Sequence, residues 1–304
     1  MDKTYAIIDP APSPARERQQ RQQRQRGGCA LAMMIKAPRA GASKTRLVPP
    51  LTHDEAARLS VCFLSDTAGN IAAACASSEA AARGVAVYTP VGAESAFDGL
   101  LPAEFSLLAQ RGETFGERLS HAADDLLAAG FDSLCLIDSD SPTLPTGALA
   151  AAVAELARPG GRVVLGPADD GGYYLIGLKG AHPRLFEDID WSTERVLAQT
   201  IERARECGLD VALLPAWYDV DDAGTLARLC NELFAGGVET ACSPGTTRLS
   251  GYAAPRTRAH LAGLIEGEGR ARVWPEAAPA TEADAPGDSE RSPSGTPARA
   301  ETAK

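Results

Sequence analysis

Between residues 29 and 234 short apolar runs alternate with longer segments of helical period. The runs Cys29–Lys36, Val85–Tyr88, Phe105–Ala109, Ser133–Ile137, Arg162–Leu165, Tyr173–Leu178 and Val211–Leu214 read as strands, several of them apolar at every position. Thr52-His-Asp-Glu55 has the spacing of a capping box and opens a helix to about Ala76. Further helices are predicted over Phe115–Ala129, ending at Gly130, and over Pro145–Ala157, Thr193–Cys207 and Asp222–Phe234. Alternation of this kind implies an α/β protein with a mostly parallel sheet and helices on both faces. Ligands of such sheets bind beyond the carboxyl ends of the strands.

Outside this region the pattern stops. Residues 1–28 hold Arg16-Glu-Arg-Gln-Gln-Arg-Gln-Gln-Arg-Gln-Arg26 after three prolines, with no apolar period. They are expected to form a disordered Arg/Gln-rich arm. A Pro/Ala/Glu-rich tail over 263–304 is expected to be disordered too, which leaves 29–262 as the folded domain. With 304 residues and 44% apolar composition the chain can build a large core. A net charge of −10 argues against a nucleic-acid-binding surface. No apolar run comes near the roughly 18–20 residues of a membrane span. The Arg-rich stretch leads to an apolar segment of only Cys29–Ile35, so no signal peptide is expected. Seven scattered cysteines without a C-x-x-C pair read as reduced thiols, consistent with a cytoplasmic protein.

The candidate chemistry lies in the loops. The strand Ser133–Ile137 runs into Asp138-Ser-Asp140, and Ser-Pro and Leu-Pro follow. Carboxylates at the end of a buried strand are costly unless a cation meets them. Mg²⁺ or Mn²⁺ carrying substrate phosphates suits hard oxygen ligands, although an Asp capping the next helix explains the motif equally well. The first strand leads into Lys36-Ala-Pro-Arg39-Ala-Gly-Ala-Ser-Lys44-Thr-Arg46. Small residues and cations suit phosphate, although the Walker A spacing is missing and a solvated basic loop is the plain alternative. In Asp169-Asp170-Gly171-Gly172 the glycines permit close contact with a substrate, or simply a hairpin turn. Asp219 and Asp221 fall on one side of an extended segment, so they can complete a metal site begun by Asp138 and Asp140, while Asp222 suits a helix N-cap. Trp191 stacks on a base or sugar, or belongs to the core, and Ser192 or Thr193 caps a helix. Arg111 and Arg118 meet phosphate, or only pair with Glu113 and Glu117.

Taken together, these stretches resemble a bacterial glycosyltransferase-A-like family, the radical-SAM/selenodomain-associated transferase 1 family, some of whose members are called arsenosugar biosynthesis glycosyltransferases. The matching segments are Lys36-Ala-Pro-Arg-Ala-Gly with Lys44-Thr-Arg-Leu47, Phe115-Gly-Glu-Arg-Leu119, Asp138-Ser-Asp-Ser-Pro, Leu165 to Leu178, Trp191-Ser-Thr, Asp219-Val-Asp221 and Tyr252 to Arg258. The likeness covers about residues 29–262 and extends, more distantly, to 2-phospholactate and molybdenum-cofactor guanylyltransferases. It implies a nucleotide-diphospho-sugar transferase fold. It also implies that Asp140 is the main ligand of Mg²⁺ or Mn²⁺ with Asp138 beside it, since the family often carries Gly where Asp138 stands. Asp219 and Asp221 form the late acidic pair, and Lys36, Lys44 and Arg46 the phosphate loop.

The reading this supports is glycosyl transfer from a nucleotide-sugar donor to a small-molecule acceptor. Asp170 is the candidate base and Lys44 stabilises the leaving charge. Lys36, Arg39, Arg46, Arg118, Asp169, Gly171, Gly172, Trp191 and Ser192 are the candidate binding residues. A nucleotidyltransferase acting on a phosphorylated small molecule, or a non-catalytic nucleotide-binding protein, are the alternatives. Sugar, base, acceptor and oligomeric state are left open.

Overall fold

In a computed structural model, residues 5–9, 27–235 and 250–274 are described. The strands are β1 (Ala6–Ile7), β2 (Cys29–Lys36), β3 (Ala82–Thr89), β4 (Ser106–Ala109), β5 (Ser133–Ile137), β6 (Arg162–Pro167), β7 (Tyr173–Leu178) and β8 (Asp210–Leu213). They form one sheet in the order β1-β4-β3-β2-β5-β7-β6-β8. All neighbours are parallel except β7, which runs antiparallel to both β5 and β6. The expected mixed, mostly parallel sheet is therefore present. Because β7 is reversed, the β6–β7 hairpin joins the loops after β2, β5 and β8 at one end of the sheet.

Helices cover both faces. They are α1 (His53–Ser77), α2 (Phe115–Ala128), α3 (Thr146–Ala157), α4 (Val196–Glu206), α5 (Ala223–Phe234), α6 (Pro255–Glu268) and α7 (Arg270–Val273). Strand alternation divides the core in two. Leu31, Met33 and Ile35 of β2 pack with α1, α3, α5 and α6, whereas Ala30 and Ala32 face the side of α2 and α4. Each central strand is thus buried on both faces along its middle, which is why it is apolar there, with polar residues such as Lys36, Arg83 and Ser133 at or near its ends.

Helix starts follow the sequence where a cap is present. Thr52–Glu55 and Thr114–Glu117 form reciprocal capping boxes, and Asp222 caps α5 through the Thr225 N–H. The helix predicted from Thr193 begins instead at Val196. Thr193 turns its hydroxyl back to the Asp190 carbonyl at 2.7 Å, and neither it nor Ser192 caps the helix.

Three further expectations change. Residues 5–9 of the supposed disordered arm add an edge strand, with Ala6 and Ile7 opposite Ser106 and Leu107 and the Tyr5 hydroxyl donating to the carbonyls of Phe97 and Leu101. The tail expected from residue 263 stays helical through α6 and α7, where Arg272 pairs with Glu55 and Trp274 donates to Asn231. Residues 10–26 and 275–304 lie outside the described residues. Finally, α1 is long and apolar enough to cross a membrane by length and composition. It lies between the sheet and its neighbours, and its buried polar side chains serve them: Asp66 accepts from the Arg256 and Thr257 N–H groups at the start of α6. Asn70 donates to the Leu144 carbonyl and accepts from Thr146.

Candidate active site

At the carboxyl ends of β2 and β5 a cleft of about 740 Å³ opens. Its basic side is the loop after β2. Ala42 and Ser43 donate their N–H groups to the Arg39 carbonyl, and Lys44 takes the left-handed conformation at φ 49°. Leu47 then buries completely and anchors the loop. Lys36, Lys44 and Arg46 line the cleft, joined from α2 by Arg118. The Arg118 guanidinium donates to the carbonyls of Gly112 and Glu113, so its position is fixed by backbone. Arg39 is exposed and lies outside the cleft lining, while Arg111 pairs with buried Asp125 rather than with phosphate or Glu113.

Lys44 has partners that the sequence did not suggest. Its ammonium lies 2.8 Å from Asp140 Oδ1 and 2.7 Å from Asp221 Oδ1, and donates to the Val220 carbonyl at 2.8 Å. The side chain is 6% exposed. Burial works against its charge, but Asp140 and Asp221 outweigh burial and raise its pKa above that of an ordinary lysine. The Val220 N–H donates to the Asp140 carbonyl at 2.9 Å, so backbone also ties the two acidic loops together.

A second cavity of about 220 Å³ adjoins the cleft, sharing Met34, Phe115, Asp140, Asp170, Ser192 and Thr193 with it. Asp138 and Asp219 line this smaller cavity. Asp138 accepts from the Ser141 hydroxyl at 2.9 Å through one oxygen, and its other oxygen is buried without a hydrogen-bond partner. Burial, reinforced by Asp140 and Asp219, holds its carboxyl well above the usual range. Burial likewise lifts Asp219 to about 6, helped by Asp221 and Asp170.

The hairpin after β6 closes the rim. Asp170 lines both cavities, and its carboxylate accepts the Gly172 N–H at 2.8 Å. Gly171 lies outside both linings. At φ 88° it packs so tightly that a Cβ would stand 2.3 Å from the Glu194 carbonyl oxygen, and its own carbonyl accepts the Leu197 N–H. Asp169 is taken by Arg228, which also lies over the Tyr218 ring at 3.8 Å. Trp191 meets Phe115 edge to face with ring centroids 5.1 Å apart. Ser192, at φ 64°, lines both cavities.

The four carboxylates singled out in the sequence therefore reach the same region without converging on one point. Among the described residues no group of three or more His, Cys, Asp or Glu stands close enough to hold a metal ion. Asp140 and Asp221, which already share one cation, are the pair whose oxygens suit a divalent ion that completes its shell with phosphate. Phe115, Gln110, Thr89 and Ser139 also line the site. None was singled out as a binding residue, because none carries a charge, although Phe115 and Ser139 lie within the matched segments; Phe115 is 51% exposed at the start of its helix.

The fold is thus an α/β sheet with a basic loop after its first central strand and acidic loops opposite it, across a cleft at the strand ends. Residues 71–193 match a family described as "Uncharacterized protein conserved in bacteria (DUF2064)". No curated protein matches the sequence. Among solved structures, a "putative nucleotide-diphospho-sugar transferase" from Desulfovibrio desulfuricans G20 is 28% identical, with a TM-score of 0.64, over 78% of this chain and 95% of that one. A cytidylyltransferase from Leptospira borgpetersenii is 12% identical, with a TM-score of 0.44, over 84% and 99% of the two chains. Glucosyl-3-phosphoglycerate synthase from Mycobacterium tuberculosis is 10% identical, with a TM-score of 0.39, over 71% and 78%. The fold is that of the Desulfovibrio protein; the likeness to the other two is too slight to carry argument.

Proposed function

We propose that this protein transfers a glycosyl group from a nucleotide-sugar to a small-molecule acceptor. The observation that carries this reading is the division of the site: a large cleft to which four cations contribute and a small acidic cavity meet at Asp140 and Asp170. A nucleoside diphosphate suits the cations of the large cleft, and the sugar then lies at the junction. The likeness to the Desulfovibrio protein supports the same donor class.

In this reading Lys36, Arg46 and Arg118 bind the diphosphate, and Lys44 is released from its carboxylates to join them. Asp140 and Asp221 would hold Mg²⁺ or Mn²⁺, which when bound neutralises charge on the leaving diphosphate. Asp170 stands where an acceptor hydroxyl enters from the small cavity. In an inverting transfer the acceptor oxygen bonds to the anomeric carbon, and the bond from that carbon to the diphosphate oxygen breaks. Its electron pair leaves on the nucleoside diphosphate, and the hydroxyl proton passes to Asp170.

A thermal-shift panel of nucleoside diphosphates, nucleoside triphosphates and nucleotide-sugars, each with Mn²⁺ and with chelator, tests the reading. A ligand that binds only the native state raises its apparent stability. Stabilisation by one diphosphate and its sugar conjugate, dependent on Mn²⁺, is the expected result. Stabilisation by a triphosphate alone would replace glycosyl transfer with nucleotidyl transfer.

A further inference from the structure

The two cavities meet at Asp140 and Asp170 but differ in the cations they offer. Lys36, Lys44, Arg46 and Arg118 line the large cleft beside the carboxylates Asp140, Asp170, Glu194 and Asp221. Among the described residues no Lys, Arg or His lines the small one, where Asp138, Asp140, Asp170 and Asp219 are joined by apolar and aromatic side chains. Phe115 and Trp191, in edge-to-face contact, line it together with Ile176 and Val196. Half of Phe115 is exposed, an uncovered aromatic surface at the junction of the cavities. In the floor, the second carboxyl oxygen of Asp138 is sealed from solvent with no hydrogen-bond partner. Buried polar atoms are nearly always paired, and a carboxyl group lining a cavity, which donates when protonated and accepts when ionised, is paired by a ligand hydroxyl in either state.

We infer that the acceptor held in the small cavity is an unphosphorylated alcohol, neutral or cationic, with one apolar face and a hydroxyl that meets Asp138. This deepens the transferase reading and rests on it for the word acceptor. The cavity of about 220 Å³ falls below the ~300–1,000 Å³ of pockets that take drug-sized ligands, so the molecule is small. A phosphate monoester would sit among carboxylates with no cation in the lining to meet it. Like charges brought together at a binding surface cost enough to lower affinity by about 100-fold. An ammonium group would instead find carboxylates and aromatic faces together.

Saturation-transfer NMR on the full chain tests this with two matched pairs, choline against choline phosphate and benzyl alcohol against benzyl phosphate. Inorganic pyrophosphate is kept in excess, so that the phosphate esters find the large cleft filled. The alcohols are expected to bind and the esters to bind about 100-fold more weakly. Trp191→Ala should abolish the alcohol signals. Because Trp191 packs against Phe115 and that variant can fail to fold, Phe115→Ala serves as the second variant, its ring being half in solvent. Its alcohol signals should fall while a cooperative thermal unfolding transition, followed by circular dichroism, is retained. Ester binding equal to or stronger than alcohol binding overturns the inference, as do alcohol signals unmoved in a folded variant. No donor is present, so the result stands apart from the thermal-shift panel: alcohols that bind to a protein no nucleotide stabilises would remove the transferase reading and leave the pocket assignment intact.

Discussion

Replacing Lys44 by Met removes one positive charge and keeps most of the buried stem. The two oxygens it holds lie 2.8 and 2.7 Å from its nitrogen, so they are no more than about 5.5 Å apart. Without the ammonium, two unit charges at about 5.5 Å repel by about 3 kcal/mol at an effective dielectric of about 20. Breaking a buried pair by removing one partner typically costs about 3–5 kcal/mol. Here the Asp140 and Asp221 side chains are each 41% exposed, and water screens much of the repulsion. The expected loss is therefore about 2–3 kcal/mol, or about 5–10 °C in Tm for a domain of this size.

Thermal unfolding by circular dichroism, at neutral pH, low salt and without divalent ions, measures that loss directly. The second half of the assay is a Mn²⁺ titration of both proteins. In the native chain an ion entering between Asp140 and Asp221 must displace an ammonium whose charge those carboxylates already stabilise. In Lys44→Met the same oxygens are free, so Mn²⁺ should recover much of the lost Tm while moving the native protein little. A variant that melts within about 1 °C of the native protein would show that the ion pairs contribute nothing to stability. Equal Mn²⁺ responses would show that ammonium and metal do not compete for one pair of carboxylates.

Two further perturbations read the scaffold. Arg272 donates to Glu55 from α7, and this bond, against a smaller burial effect, holds the Glu55 carboxyl down at about 2. A depressed folded pKa gives stability that is present above about pH 4.5 and lost as pH falls toward 2. Glu55→Gln keeps a capping-box side chain but loses the charge, so it should cost about 1–2 kcal/mol at pH 7, after allowance for solvent screening. In urea unfolding the two proteins should converge near pH 2–3, and a constant difference from pH 7 to pH 2.5 would refute the charge argument. At Gly171, a methyl group meets the Glu194 backbone at 2.3 Å and a left-handed φ as well. Gly171→Ala should therefore cost more than about 2 kcal/mol by urea unfolding; a loss under about 0.5 kcal/mol would show that the hairpin yields freely.

The fold was legible because its cause is local. A strand covered on both faces must be apolar along its middle, and β2 and β5 announce themselves that way. Caps with a side-chain signature were placed within a residue, as at Thr52 and Asp222. What was missed depends on distant partners. Tyr5 is a lone aromatic in a polar arm until the 3-10 turn at Phe97 offers it a carbonyl. The second half of α6 and all of α7 fell in the expected tail, because what holds this segment comes from far along the chain: Asp66, nearly two hundred residues earlier, caps the first turn of α6. Arg272 gains its role only from Glu55.

The site divides along the same line, and Lys44 shows where. A lysine in a small-residue loop after the first central strand predicts an anion partner, and it has one. Sequence cannot say that the anion is protein carboxylate, because Asp140 and Asp221 arrive from loops far along the chain. The two partners are not rivals in mechanism. A cation clamped between carboxylates costs free energy to release, and a ligand that brings both a metal and phosphate oxygens compensates both sides at once: the metal takes the carboxylates and the phosphate takes the ammonium. Either half alone leaves one charge unpaired in a partly buried site. If the proposed donor and metal bind here, Lys44, Asp140 and Asp221 would favour their binding together over the binding of either alone.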